Sequence, residues 1–119
     1  MDKSLGKYVK TTLISLIVIS LLLTACGGKE KVYTIGVISL SPNLEDTVTA
    51  FKEGMAEFGY VEGENVTYIY DGITPMDELD AAAQELVAAD VDLILSLTTP
   101  ATQAAQRATK GTDIPVVFI

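Results

Sequence analysis

The chain has 119 residues, of which 20% are charged and 49% hydrophobic, with a formal net charge of −8. That length holds one domain of ordinary size, since domains cluster near about 100 to 150 residues, and the acidic balance argues against a nucleic-acid partner. With no histidine and a single cysteine, the chain excludes histidine acid/base catalysis, Cys/His zinc sites and an internal disulfide.

Lys3, Lys7 and Lys10 precede an uncharged run from Thr11 to Ala25 whose apolar heart is Leu13 to Leu23. A basic start followed by a short apolar stretch is the arrangement of a secretory signal, and the run is shorter than the roughly 20 residues of a spanning helix. Leu23-Thr24-Ala25-Cys26-Gly27-Gly28 follows and resembles the lipobox of bacterial lipoproteins. The resemblance implies cleavage between Ala25 and Cys26 and diacylglycerol on the Cys26 thiol. The mature protein would then be lipid-anchored at the extracytoplasmic face of the cell membrane, where two or three acyl chains hold firmly and one holds marginally. The plainer alternative is a membrane-anchored protein in which Cys26 is incidental. The expected organisation is a signal peptide over 1–25, the lipidated cysteine and a polar tether over 26–31, and the functional part over 32–119.

Val32 to Ser39 is an almost continuous apolar and β-branched run, as a parallel strand covered on both faces requires. Leu44, Val48, Phe51, Met55 and Phe58 then recur at helical spacing, opened by Ser41-Pro42-Asn43 and stopped by Gly59. A second strand is expected over Val66 to Tyr70. A second helix starts at Thr74-Pro75, with Leu79, Ala82, Ala83, Leu86 and Val87 inward. Val91 to Leu97 predicts a third strand. Thr99-Pro100 opens a third helix with Ala101, Ala104, Ala105 and Ala108 on one face, closing near Gly111, and Ile114 to Ile119 predicts a fourth strand. Strict alternation of strand and helix with short connections means right-handed crossovers and a parallel sheet, half of an open doubly wound α/β domain. Because the sequence stops at the end of a strand, the expectation is an incomplete first lobe whose remainder is missing.

Ligands of open α/β sheets bind at the carboxyl ends of the strands, beside the point where strand order reverses. Here those ends carry Ser39-Leu40-Ser41-Pro42-Asn43, Asp71-Gly72 and Ser96-Leu97-Thr98-Thr99-Pro100-Ala101. Two of them are rich in hydroxyls and run straight into a helix. A helix start offers free N–H groups and the positive end of the dipole, so it can hold a carboxylate without a basic side chain. The bland reading of Ser41 and Thr99 is that they are only N-caps, worth about 1 kcal/mol each. Asp77, Glu78 and Asp80 read as a solvated helix start. Asp90 and Asp92 lie at the amino end of the third strand, away from any such site, and Tyr68 and Tyr70 read as core. Gly59, Gly63 and Gly72 form neither a phosphate loop nor a dinucleotide fingerprint, and no cofactor is implied.

The order of segments carries a family resemblance. Ile35-Gly36-Val37, the stretch from Phe51-Lys52-Glu53-Gly54 through Gly59-Tyr60-Val61-Glu62-Gly63-Glu64-Asn65-Val66, Leu86 to Ile94, Thr99-Pro100-Ala101-Thr102-Gln103-Ala104-Ala105 and Ile114-Pro115-Val116-Val117-Phe118 resemble the tryptophan/tyrosine-type substrate-binding proteins of ABC transporters. The resemblance implies part of a type I periplasmic-binding-protein lobe, a small-molecule ligand that includes aromatic amino acids, and ABC permease subunits as partners. It also implies ligand contacts at Ser39, Ser41, Thr98, Thr99 and Ala101. Family members continue into a second lobe that forms the other wall of the site.

An enzyme on this framework would need a nucleophile or acid at a strand's carboxyl end with a base beside it. Ser39 and Ser96 have no histidine to activate them, and no strand ends in the aspartate of a phospho-acceptor, so the chain is not expected to be an enzyme. The competing reading is a ligand-sensing or interaction lipoprotein with the same fold and no transport role.

Overall fold

The computed structural model describes Gly6, Val9 and residues 31–119. The expected signal peptide, the lipid-attachment Cys26 and the tether up to residue 30 lie outside the described residues. Within Lys31–Ile119, which forms one compact unit, the chain runs β1 (Tyr33–Ser39), a 3-10 turn (Pro42–Leu44), α1 (Glu45–Glu57), β2 (Val66–Ile69), α2 (Leu79–Ala88), β3 (Leu93–Leu97), α3 (Thr99–Ala108) and β4 (Val116–Phe118). The four strands make one sheet in the order β2-β1-β3-β4, with every pairing parallel. The chain thus leaves β1 outward to β2, returns to β3 and continues to β4. The doubly wound parallel sheet expected from the sequence is present.

The sheet's two faces are covered by different helices. Ile35, Val37, Val48, Val66, Leu95 and Leu97 bury together on one face with Phe51 and Met55 of α1 packed against them. On the other face Ile38 and Ile94 meet Leu79, Ala83 and Leu86 of α2 and Ala101, Ala104 and Ala105 of α3. The alternation along β1 and β3 therefore feeds two separate cores, which is why these strands read as continuous apolar runs. Gly36 belongs to the α2 face, where a Cβ would stand 2.6 Å from a Leu86 methyl carbon. Absence of that Cβ lets α2 settle directly on β1.

Several boundaries differ from the sequence expectation for identifiable reasons. Phe58 is 82% exposed, not on the buried stripe. It is the C-cap of α1, and Gly59 at φ 89° turns the chain out of helical phase there. Asn65 then closes the connection, accepting the Val61 N–H at 2.8 Å and donating to the Gly59 carbonyl at 2.8 Å. Helix α2 begins at Leu79, not at Thr74-Pro75, because the Thr74 N–H is held at 2.7 Å by the Ser39 carbonyl on the sheet edge. Strand β4 is shorter than 114–119 and is an edge strand, with Phe118 71% exposed.

Strand β3 begins at Leu93, two residues after Val91, because Asp92 is engaged sideways. Its carboxylate accepts the Thr34 N–H at 2.8 Å, its own N–H donates to the Thr34 carbonyl at 2.7 Å, and Lys31 pairs with it at 2.6 Å. These contacts clamp β1 to β3 at the amino edge. Lys31, and then the Thr34 N–H, hold the Asp92 carboxyl below its usual range. A carboxyl whose pKa is depressed by folding adds stability that is present above its unfolded value and is lost as pH falls through the folded value. Asp92→Asn is therefore expected to lower Tm at neutral pH and to converge on wild type once pH is well below about 4. Thermal melts across that range check it, and a gap that persists in acid contradicts it.

Candidate functional site

The carboxyl edge of the sheet is organised by the pairing of β1 with β3, in which Ser39 and Leu97 are register partners. Their two exits therefore stand side by side at the point where the strand order reverses, the position at which open α/β sheets take ligands. The sequence expectation put hydroxyl-rich segments at these two exits, and the sheet makes them neighbours.

The first exit is tightly tied. Ser39 is fully buried, and its hydroxyl donates to the Ser41 carbonyl at 3.2 Å and accepts the Ser41 N–H at 3.4 Å. Its own carbonyl holds Thr74. Ser41 is half-buried and precedes the 3-10 turn, where its carbonyl accepts the Leu44 N–H at 3.3 Å while its hydroxyl makes no capping bond. The side-chain N-cap reading of Ser41 is thus corrected. Beyond the turn, α1 opens with Glu45 and Asp46. Tyr70, just past β2, donates its hydroxyl to Glu45 at 2.7 Å. Burial first, and that bond to Glu45 second, push the Tyr70 phenol up to about 12, so it stays a neutral donor. Tyr68 is half-buried against α1, with its ring edge-on to Phe51.

At the second exit β3 passes into α3 through one residue. Thr98 is the N-cap, at φ 99° and ψ 146°, and its side chain makes no capping bond. A positive φ of this kind is costly for a residue with a branched Cβ, of order 1–3 kcal/mol, and such outliers gather at functional sites. The Thr98 Oγ1 is buried with no hydrogen-bond partner among the described residues. The Thr98 carbonyl accepts both the N–H of Thr102 at 3.0 Å and its hydroxyl at 2.9 Å. Thr99 is therefore the first helical residue and not the N-cap, which corrects the second bland reading; its side chain is exposed.

Since Thr102 donates the first helical bond, the N–H groups of Thr99 and Ala101 remain at the open end of α3. The methyl of Ala101 is fully buried in the core shared with α2. Ala101 could thus meet a ligand only through its backbone N–H, which has no exposed surface in this structure. In contrast to α1, the first turn of α3 holds no acidic residue, so its dipole end is not already neutralised.

The cleft along α3 adds residues that the sequence reading did not single out. Thr102, Gln103 and Gln106, with Thr98, Thr99 and Phe118, line a space of about 470 Å³. Their spacing along the helix, opposite the alanine face, was the available signal. Ser96 lies beneath, its hydroxyl 2.9 Å from that of Thr102 and donating to the Val117 carbonyl at 3.3 Å. Among the described residues no group of three or more His, Cys, Asp or Glu could hold a metal ion. The arrangement suits reversible capture of an anionic, hydrogen-bonding group; it has no base beside a nucleophile.

Comparison with known proteins agrees with this fold. Residues 31–119 match the family model for ABC transporter substrate binding proteins. A tyrosine-binding protein of Clostridioides difficile (strain R20291) is 30% identical over 91 residues, covering 76% of this chain and 26% of that protein. The fold is similar to the ligand-free, open structure of a substrate-binding protein with adhesive properties from Clostridium difficile, with a TM-score of 0.58, 28% identity and coverage of 74% of this chain and 30% of that one. It is also similar to a conserved domain protein from Vibrio cholerae O1 biovar eltor, with a TM-score of 0.63, 27% identity and coverage of 76% and 30%. The chain thus spans about a quarter to a third of the length of these relatives.

Strain held at Thr98 for the sake of this edge should be releasable. Thr98→Gly is expected to raise stability by up to about 1 kcal/mol, the relief of positive φ less the added flexibility of the unfolded chain, measured by chemical denaturation. A loss of stability would show that the conformation is not strained.

Proposed function

Because the chain belongs to the family of ABC transporter substrate-binding proteins, we propose that it is solute-binding sequence of an extracytoplasmic lipoprotein that serves an ABC uptake transporter. Its ligand is an α-amino acid, with tyrosine the leading candidate, held by its carboxylate at the start of α3. In this reading Cys26 carries the lipid that tethers the protein to the outer face of the cell membrane. The permease subunits of the transporter receive the solute.

One observation carries the reading: β3 enters α3 through a single left-handed residue, and the helix end so exposed is free of acidic side chains. Two backbone N–H groups and the exposed Thr99 hydroxyl then stand at the helix start, above the buried, unpartnered Thr98 hydroxyl and next to the exit of β1. Hydrogen bonds to a charged acceptor contribute about 1.5–3 kcal/mol each, and the helix dipole adds about 0.3–1 kcal/mol. Such a site tolerates the overall charge of −8, because the donors act at contact distance while the acidic field is screened by salt. The tyrosine-binding relative supports an amino acid as the solute. The roles differ among the five residues. Thr98 and Thr99 supply donors, Ala101 its N–H alone, Ser41 a hydroxyl from the facing exit, and Ser39 fixes that exit in place.

Thr99→Asp separates binding from folding. A carboxylate in the first turn favours the helix but occupies and repels the place of the ligand's own carboxylate. The variant is expected to melt no lower than wild type and to bind radiolabelled tyrosine at least about tenfold more weakly, with Thr99→Ser close to wild type. Undiminished binding by Thr99→Asp would sink the assignment.

A further inference from the structure

A second concavity lies between α2 and β2, at the opposite edge of the sheet from β4. Ile69 forms its floor, Ala82, Leu86 and Ala89 its helical wall, and Asp71 and Glu85 stand on its rim. Its origin is the close approach at Gly36, which seats Leu86 over β1 and leaves Ile69 of the edge strand only partly covered. The space is about 240 Å³, below the roughly 300–1,000 Å³ of pockets that enclose small molecules. It matches one long side chain better than a free solute.

The rim decides the sign of what fits. Asp80, nearby on α2, is paired with Arg107 at 2.6 Å, whereas Asp71 and Glu85 have no ion pair among the described residues. Ile73 and Met76, 48% and 60% exposed, continue the apolar surface along the segment that leads from Asp71 into α2. An apolar floor with an unneutralised acidic rim is the composition of a protein-recognition patch.

We propose that this groove docks a basic segment of a partner protein. The aliphatic stem of an arginine or lysine lies on Ile69, Ala82 and Leu86, and its cationic head rests between Asp71 and Glu85. Long basic side chains divide themselves in this way between apolar and polar surroundings, and complementary charge steers such encounters. A second copy of this chain is a poor occupant, since each copy brings a net charge of −8. The inference does not depend on the solute reading, because it uses no residue of the α3 junction.

Fluorescence anisotropy of the 119-residue chain with a labelled Leu-Arg-Leu-Arg-Leu peptide tests it. Saturable binding is expected at low ionic strength, weakened at least about tenfold by Asp71→Asn with Glu85→Gln. Both positions are exposed, so folding is spared. Glu53→Gln with Glu57→Gln removes the same charge from α1 on the other face and should leave affinity within about twofold. Glu85→Arg should lose the arginine peptide and take up the Leu-Glu-Leu-Glu-Leu counterpart. Absence of saturable binding, equal loss in both double variants, or self-association abolished by Glu85→Gln would each overturn the proposal.

Discussion

A strand that becomes a helix with no loop between them sets the geometry of the sheet's carboxyl edge. Leu97 ends β3 and Thr99 begins α3, so Thr98 alone redirects the chain, and it does so at φ 99°. Had the reversal been spread over several residues, the helix start would sit away from the sheet and its free N–H groups would be solvated elsewhere. As built, the pairing of Ser39 with Leu97 puts that helix end level with the exit of β1. The buried faces of Ala101, Ala104 and Ala105 hold α3 against α2, and this packing is what maintains an unfavourable backbone conformation at Thr98.

Charge is distributed in keeping with that arrangement. The amino edge carries the Asp92, Thr34 and Lys31 clamp, which ties β1 to β3 at the end opposite the helix starts. At the carboxyl edge the two helix starts are unlike: α1 is already met by Glu45 and Asp46, with Tyr70 locked onto Glu45, while α3 is bare of acids. Under the proposed reading, an anionic group at this edge would meet the bare start of α3, and an accompanying ammonium group the carboxylates at the start of α1. That asymmetry matches an amino acid better than a dianion or a neutral sugar.

Much of this was legible in the sequence. Apolar runs gave β1 and β3 because both strands are buried on two faces, and the alanine spacing from 101 to 105 gave the inner face of α3. What pattern could not give was where elements stop and which atom does the capping. Phe58 keeps helical spacing but lies past the end of α1, where Gly59 rotates the chain. Thr74-Pro75 looks like a helix start, yet the Ser39 carbonyl holds Thr74 on the sheet. Ser41 and Thr99 have the composition of N-caps, and neither hydroxyl caps: Ser41 has the extended angles of a cap but leads into a 3-10 turn without a side-chain bond, and Thr99 already lies inside α3. The residues that the resemblance implies gather at the exits of β1 and β3, but their sequence positions do not separate Ser39 and Ala101, which are buried, from the exposed Thr99.

The central claim is that the end of α3 receives a carboxylate, and the backbone amides of Thr99 and Ala101 report on it directly. Two-dimensional NMR of the labelled chain, titrated with L-tyrosine and in parallel with tyramine, which lacks the carboxylate, is the most direct measurement. Downfield shifts of the Thr99 and Ala101 amide protons with tyrosine, absent with tyramine, are the expected result. Equal shifts with both compounds, or shifts from tyrosine that leave these two amides unmoved, would contradict it.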